Sequence, residues 1–165
     1  KCPALQSKDS SRVIVVPALT GLGAPYWDAE ARGAIFGLTR DTGIPEITKG
    51  VLESVAYQTK DLLEAMKNDK AFFNTIKIDG GMVANNWFSQ FLSDIINLNV
   101  VRPKVQETTA LGVALLAAYQ IGEFKSLKEI QNKWKKDRVF SPKLNKSIRN
   151  KLLNGWKSAV DKTLL

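Results

Sequence analysis

The stretch TIKIDGGMVANNWFSQFLSDIINLNVVRP, residues 75–103, decides how the chain reads. Residues 75–79 alternate apolar and polar as a half-buried strand does, and Gly80-Gly81 end the run. Trp87, Phe88, Phe91, Leu92, Ile95 and Ile96 then recur at helical spacing and make one wide apolar face. LNVVRP (98–103) is a further short strand, stopped by Pro103. A strand, a glycine turn, a helix and a second strand belong to an α/β domain.

The turn has two readings on local physics alone. Gly80 and Gly81 supply positive φ at a tight turn, or they remove side chains where a ligand approaches unpaired N–H groups. The pattern is neither a P-loop nor a dinucleotide fingerprint, since it lacks both a Lys-Ser/Thr pair and a third glycine.

Working outward, RVIVVPAL (12–19) reads as a buried β-branched strand that ends at Pro17. A glycine- and aromatic-containing loop (20–33) leads to a second strand, AIFGLT (34–39). A long helix to about Asn68 should follow, capped by Thr42 or Gly43, with Pro45 and Glu46 in its first turn. Its predicted stripe runs through Ile47, Val51, Val55, Leu62 and Met66, widened by Leu52, Ala56, Thr59 and Leu63. Gly50 weakens the first part of it. TTALGVALLAAYQIG (108–122) is a helix rich in small residues that suit close packing, with Gly122 as its C-terminal cap. Two more helices are expected near 126–134 and 145–163.

With 165 residues, 44% apolar and 24% charged, the chain suits one soluble globular domain. No apolar run approaches the roughly 20 residues that cross a bilayer, and no signal-peptide layout opens the chain. Cys2 is the single cysteine, so an intracellular, cytoplasmic setting is expected. The sequence has no histidine, which excludes Ser–His and Cys–His catalysis within this chain. The net charge of +8 gathers toward the C-terminus, in NKWKKDR and SPKLNKSIRNK. It would suit a phosphate-bearing partner or a solvated helix face. The second is favoured, because no nucleic-acid motif accompanies the charge.

Four blocks carry a resemblance beyond this local physics. VVPALTGLGAPYWDAEARGAIFGLTR (15–40), LESVAYQT (52–59), DGGMVANN (79–86) and ETTALGVALLAAY (107–119) resemble, in order, the C-terminal domain of the glycerol kinases, in the FGGY family of carbohydrate kinases. Gly50 departs from the Ala or Ser usual in the second signature. The resemblance implies a ribonuclease H-like, actin-like ATPase domain, helix-rich and incomplete at its N-terminal side, with residues 1–165 forming a single partial domain. It implies transfer of the γ-phosphate of ATP, with Mg2+, to glycerol, giving sn-glycerol 3-phosphate and ADP. Carried over residue by residue, it places nucleotide contact at Gly81 and Asn85, with Gly80 as a neighbour. Asn86 is left to capping or packing.

In that family the aspartate base, the polyol-binding residues and the Thr-Gly phosphate turn lie upstream of these blocks, and this sequence contains none of them. The chain is therefore expected to be a C-terminal fragment, inactive by itself, with no catalytic residue and no metal ligand of its own. Asp28 and Arg32 are expected to pair and hold their loop, and Ala110 and Gly112 to permit close helix packing. ATP and glycerol are the expected partners, with no nucleic acid and no membrane. Exposed strand edge and apolar surface would favour a homo-oligomer. Two alternatives stay open: another FGGY sugar kinase such as a xylulose kinase, or a non-catalytic basic binding module on the same fold.

Overall fold

The computed structural model describes residues 3–7 and 13–164; Cys2 and Arg12, named above, lie outside the described residues. The chain divides into two compact units, each with its own core.

The first unit takes residues up to 72, 94–96 and those from 143 onward. Strand β1 (Ile14–Val16) pairs antiparallel with β2 (Ala34–Phe36), Ile14 opposite Phe36 and Val16 opposite Ala34. Helix α1 (Ile44–Asn68) and helix α5 (Lys146–Thr163) both pack on β1. Each comes close through a glycine. A Cβ on Gly50 would sit 3.1 Å from the Val13 carbonyl oxygen, and one on Gly155 would sit 3.2 Å from Ile14 Cδ1. The glycine that weakens α1 as a helix is thus what lets it lie on the strand.

The start of α1 is as expected. Gly43 is its N-cap, Pro45 lies in the first turn, and the Gly43 N–H donates to Glu46 Oε2 at 2.9 Å. That bond holds the Glu46 carboxyl below its usual range. The buried face of α1 agrees with the predicted stripe at Ala56 and Leu63 and differs elsewhere. It runs through Gly50, Glu53, Ser54, Ala56, Tyr57 and Leu63, while Val51, Leu62 and Met66 stay largely exposed. The inner face is built from small and hydrogen-bonded residues, with Tyr57 donating to the buried Glu53 Oε2 at 3.2 Å.

An aromatic and carboxylate hub ties this unit together. Tyr57 stacks on the buried Trp156 ring at 5.3 Å between centroids. The Trp156 Nε1–H and the Tyr26 hydroxyl both donate to Asp61 Oδ2, at 2.6 and 2.7 Å. Asp61 therefore joins α1, α5 and the loop between β1 and β2 at one oxygen. Burial pushes its carboxyl above the usual range, and the two donors partly offset this.

In that loop, Asp28 Oδ1 accepts from the backbone N–H groups of Glu30 and Ala31, at 2.8 and 3.0 Å. The expected Asp28–Arg32 pair is replaced by this turn. Arg32 Nη1 donates instead to the carbonyls of Ala29 and Ala31, and its ion pair is a loose 3.9 Å contact with Glu30. Asp28 is satisfied locally because its carboxylate reaches the backbone N–H groups two and three residues on before any side chain.

The second unit takes residues 73–93 and 97–142. Its sheet has the order β3 (Thr75–Lys77), β4 (Asn99–Pro103), β5 (Lys136–Phe140). β3 and β4 are parallel, with Thr75 opposite Asn99; β5 is antiparallel to β4, with Val100 opposite Phe140. Helix α2 (Asn86–Ile96) links the parallel pair, and its residues 94–96 belong to the first unit. Val83, Phe88, Leu92, Val100 and Phe140 are the apolar core of this unit. Ser89 and Ser93 are fully buried among them, Ser89 Oγ donating to the Val83 carbonyl at 3.1 Å.

Helix α3 (Thr108–Gln120) ends in a pair of bonds from Gly122 N–H to Tyr119 O and Glu123 N–H to Ala118 O, the Schellman arrangement. None of its residues is buried, and Val113 and Leu116 are 66% and 56% exposed. The expected close packing at Ala110 and Gly112 is absent among the described residues. Ala110 is exposed, and nothing lies within 4 Å of where a Gly112 Cβ would stand. The predicted helix near 126–134 is shorter, α4 (Leu127–Gln131), because the chain turns and then enters β5.

Candidate nucleotide site

The glycine turn and its flanks lie wholly in the second unit. After β3 the Ile78 N–H still bonds Val101 O at 3.0 Å, carrying the ladder one residue past the strand. Gly80 then turns with φ of +89°, a conformation that glycine adopts without strain, and its N–H donates to Gln106 O at 2.9 Å. Beside it, the Thr108 hydroxyl donates to Asp79 Oδ2. Two contacts therefore tie the turn to the segment entering α3.

Gly81 opens a single 3-10 turn, Gly81–Ala84, and is exposed. No atom lies within 4 Å of a Cβ built on Gly80 or Gly81. The missing side chains therefore leave open approach to the backbone rather than relieving a clash inside the protein. For Gly80 the positive φ is a sufficient reason for glycine; for Gly81 it is not, since its φ is not positive.

Asn85 follows the turn as the N-cap of α2. Its Oδ1 accepts from the N–H groups of Trp87 at 3.0 Å and Phe88 at 3.3 Å, and its carbonyl accepts from Ser89 N–H at 3.1 Å. The carboxamide oxygen is thus committed to the start of the helix. Asn86, left to capping or packing, does not cap: its Oδ1 accepts from Arg102 Nη1 at 2.9 Å. Gly80, Gly81 and Asn85 lie on one short arc of chain, as the sequence places them.

Two surface cavities lie elsewhere. One of about 640 Å³, in the first unit, is lined by Tyr26, Asp61, Glu64, Trp156 and Asp161 among others. One of about 500 Å³, in the second unit, is lined by Phe124, Glu129, Lys133 and Lys135 among others. Neither includes Gly80, Gly81 or Asn85. The turn itself is an open surface, with exposed glycine backbone beside a carboxamide. Among the described residues no group of three or more His, Cys, Asp or Glu is placed to hold a metal ion.

Comparison with known proteins decides the family. The profile of the C-terminal domain of the FGGY family of carbohydrate kinases matches residues 3–121, well over half of the chain. This chain belongs to the FGGY family of carbohydrate kinases. Within that family it is 55% identical to the glycerol kinase of Alteromonas mediterranea over 95% of its own length, and 54% identical to glycerol kinase 1 of Pseudomonas aeruginosa over the same share. Each alignment covers 32% of the relative, so the chain spans about a third of the length of the curated relatives it matches.

Among solved structures, Plasmodium falciparum glycerol kinase with ADP matches with a TM-score of 0.84 and 34% identity, over 99% of this chain and 33% of that one. Gluconate kinase from Lactobacillus acidophilus matches with a TM-score of 0.77 and 28% identity, over 98% of this chain and 33% of that one. The fold is that of the FGGY sugar kinases, the actin-like ATPase fold, as the four sequence blocks implied.

Proposed function

We propose that this chain is the adenine-binding, C-terminal part of a glycerol kinase, whose whole protein transfers the γ-phosphate of ATP to glycerol to give sn-glycerol 3-phosphate and ADP. The observation that carries this reading is the turn at 79–85. Glycine backbone stands open at Gly81, and a carboxamide sits next to it at the start of a helix. The identity of about 55% to proteins named glycerol kinase supports glycerol as the acceptor.

Gly81 lets the flat purine or ribose approach the backbone, with Gly80 shaping the turn beside it. The Asn85 oxygen already accepts two N–H groups, so a hydrogen bond to the base would come from the amide nitrogen to a ring nitrogen. Mg2+ would travel with the phosphates. No Asp or Glu of this chain is assigned as the base that deprotonates the acceptor. Residues 1–165 form one partial C-terminal domain in this reading, acting in the cytoplasm within a homo-oligomer. No helix among the described residues is long and apolar enough to cross a membrane.

Calorimetric titration of the chain with ADP tests the reading through Asn85→Asp and Gly81→Ala. Asp keeps an acceptor for the helix N–H groups but has no amide protons. The Gly81 methyl meets nothing in the protein. Both variants should fold as the wild type does and bind ADP about fivefold to tenfold more weakly, the worth of one hydrogen bond or one lost close approach. Unchanged ADP affinity in both removes the turn from the site. Binding of a gluconate- or xylulose-kinase substrate in preference to glycerol by the reassembled enzyme would reassign the acceptor.

A further inference from the structure

Arg102 lies on β4 with a side chain only 9% exposed, and all three nitrogens of its guanidinium have a partner. Nε and Nη2 both reach Asp137 Oδ2, at 2.8 and 2.7 Å. Nη1 donates to the carbonyl of Val83 at 2.8 Å and to Asn86 Oδ1 at 2.9 Å, with the Ala84 carbonyl at 3.4 Å. The plane lies over the Phe140 ring at 5.4 Å.

The acceptors on the turn are residues 83, 84 and 86. The arginine therefore grips the chain on both sides of Asn85. The Val83 carbonyl also accepts from the buried Ser89 hydroxyl, so both of its lone pairs are used. At the other end, the bonds of Gly80 to Gln106 and of Asp79 to Thr108 hold the entry to the turn. The arc that carries Gly81 and Asn85 is thus clamped at both ends, with Arg102 holding its exit alongside the Ser89 hydroxyl and the Asn85 cap.

We propose that Arg102, held by Asp137, is a positioning residue that fixes the Gly81–Asn85 arc in its nucleotide-binding shape; this rests on the reading of that arc as the adenine site. The chemistry requires arginine. A planar group with separate donor edges can face a carboxylate on one side and two acceptors on the other, whereas an ammonium cannot span both. A buried cation also needs its counter-charge, which Asp137 provides from β5 without contacting the turn.

The test is a double-variant cycle on the 165-residue chain with Arg102→Lys, Arg102→Met and Asp137→Asn. ADP affinity and amide hydrogen exchange of residues 83–88 are both read. Val100→Ala, in the core of the same sheet, serves as a control that lowers stability away from the turn. Arg102→Lys and Arg102→Met should each weaken ADP binding about tenfold and speed exchange at 83–88 beyond the change elsewhere in the unit. Asp137→Asn should do the same to a smaller degree, but add nothing once Arg102 is Met, because Asp137 acts only through it. Val100→Ala should shift the melting temperature while leaving ADP affinity and the relative exchange of 83–88 unchanged.

Wild-type ADP affinity and exchange in Arg102→Lys, or additive effects in the double variant, would overturn the proposal. So would a Val100→Ala variant that loses ADP binding to the same extent. A wild-type chain that binds no ADP removes the nucleotide reading, while the exchange data still decide whether Arg102 positions the arc.

Discussion

At Asn85 one carboxamide carries an observed role and a proposed one. Its oxygen starts α2, and its amide is the group proposed to meet a base. Asn85→Ala should therefore cost about 1 kcal/mol of stability through the lost cap. Asn85→Asp should stay within a few tenths of wild type. Urea unfolding of the two variants separates cap from ligand, and equal losses would show that the cap contributes nothing. Gly50 is a different case, a glycine held by a neighbour rather than by φ. Gly50→Ala gains about 1 kcal/mol of helix propensity and spends it against Val13 and Val15, whose atoms stand 3.1 Å from the new methyl. The net change should be small. Gly50→Leu should cost about 1–3 kcal/mol or more by forcing α1 from β1, which the same unfolding measurement checks. The family blocks made Gly81 and Asn85 legible as residues of interest. That Asn85 caps α2 was not legible, because nothing in the pair of asparagines says which one caps.

Among the elements, the hub at Asp61 carries a pH dependence of definite sign. Its folded carboxyl titrates above its unfolded value, so protonation favours the folded state. This contribution is complete below the unfolded pKa of about 3.9 and is lost as pH rises through the raised folded value. Asp61→Asn keeps an acceptor for Tyr26 and Trp156 and does not titrate. The stability of wild type relative to Asp61→Asn should fall as pH rises above about 4, and a difference that stays constant refutes the hub as the cause. Glu64, held low chiefly by its bond to Lys60, works in the opposite direction and is common to both proteins. Trp156→Ala should cost about 3–5 kcal/mol, since it removes a buried ring as well as the bond. The hub joins residues 35 and 95 positions apart, beyond the reach of any local pattern. The sequence does disclose α1, α2, α3 and α5, because long periodic runs and caps are local. It hides β5, whose Lys136, Asp137 and Arg138 present no apolar alternation. It also misleads about the inner face of α1, where Glu53, Ser54 and Tyr57 are buried while Val51 and Leu62 are not.

For the whole molecule, the length matters most: the chain spans about a third of its glycerol kinase relatives. The resemblance to that family implies that the base and the polyol site lie outside these residues. Purified chain should therefore release no ADP from ATP in the presence of glycerol in a coupled assay. Sustained turnover would place catalytic groups within these residues. The resemblance, read from four ordered blocks, agreed with both family and fold. The division into two units did not show in the sequence, because the boundary crosses inside α2, where the apolar spacing continues from Phe91 to Ile96 without a break.

The charged strand β5 has one more consequence. It closes one border of the three-stranded sheet with Lys136, Asp137 and Arg138, all exposed. A border so armed resists recruitment of a further strand, the route by which open sheets seed fibrils and insoluble assemblies. The same side chains that made β5 hard to recognise therefore act as gatekeepers for the chain's solubility.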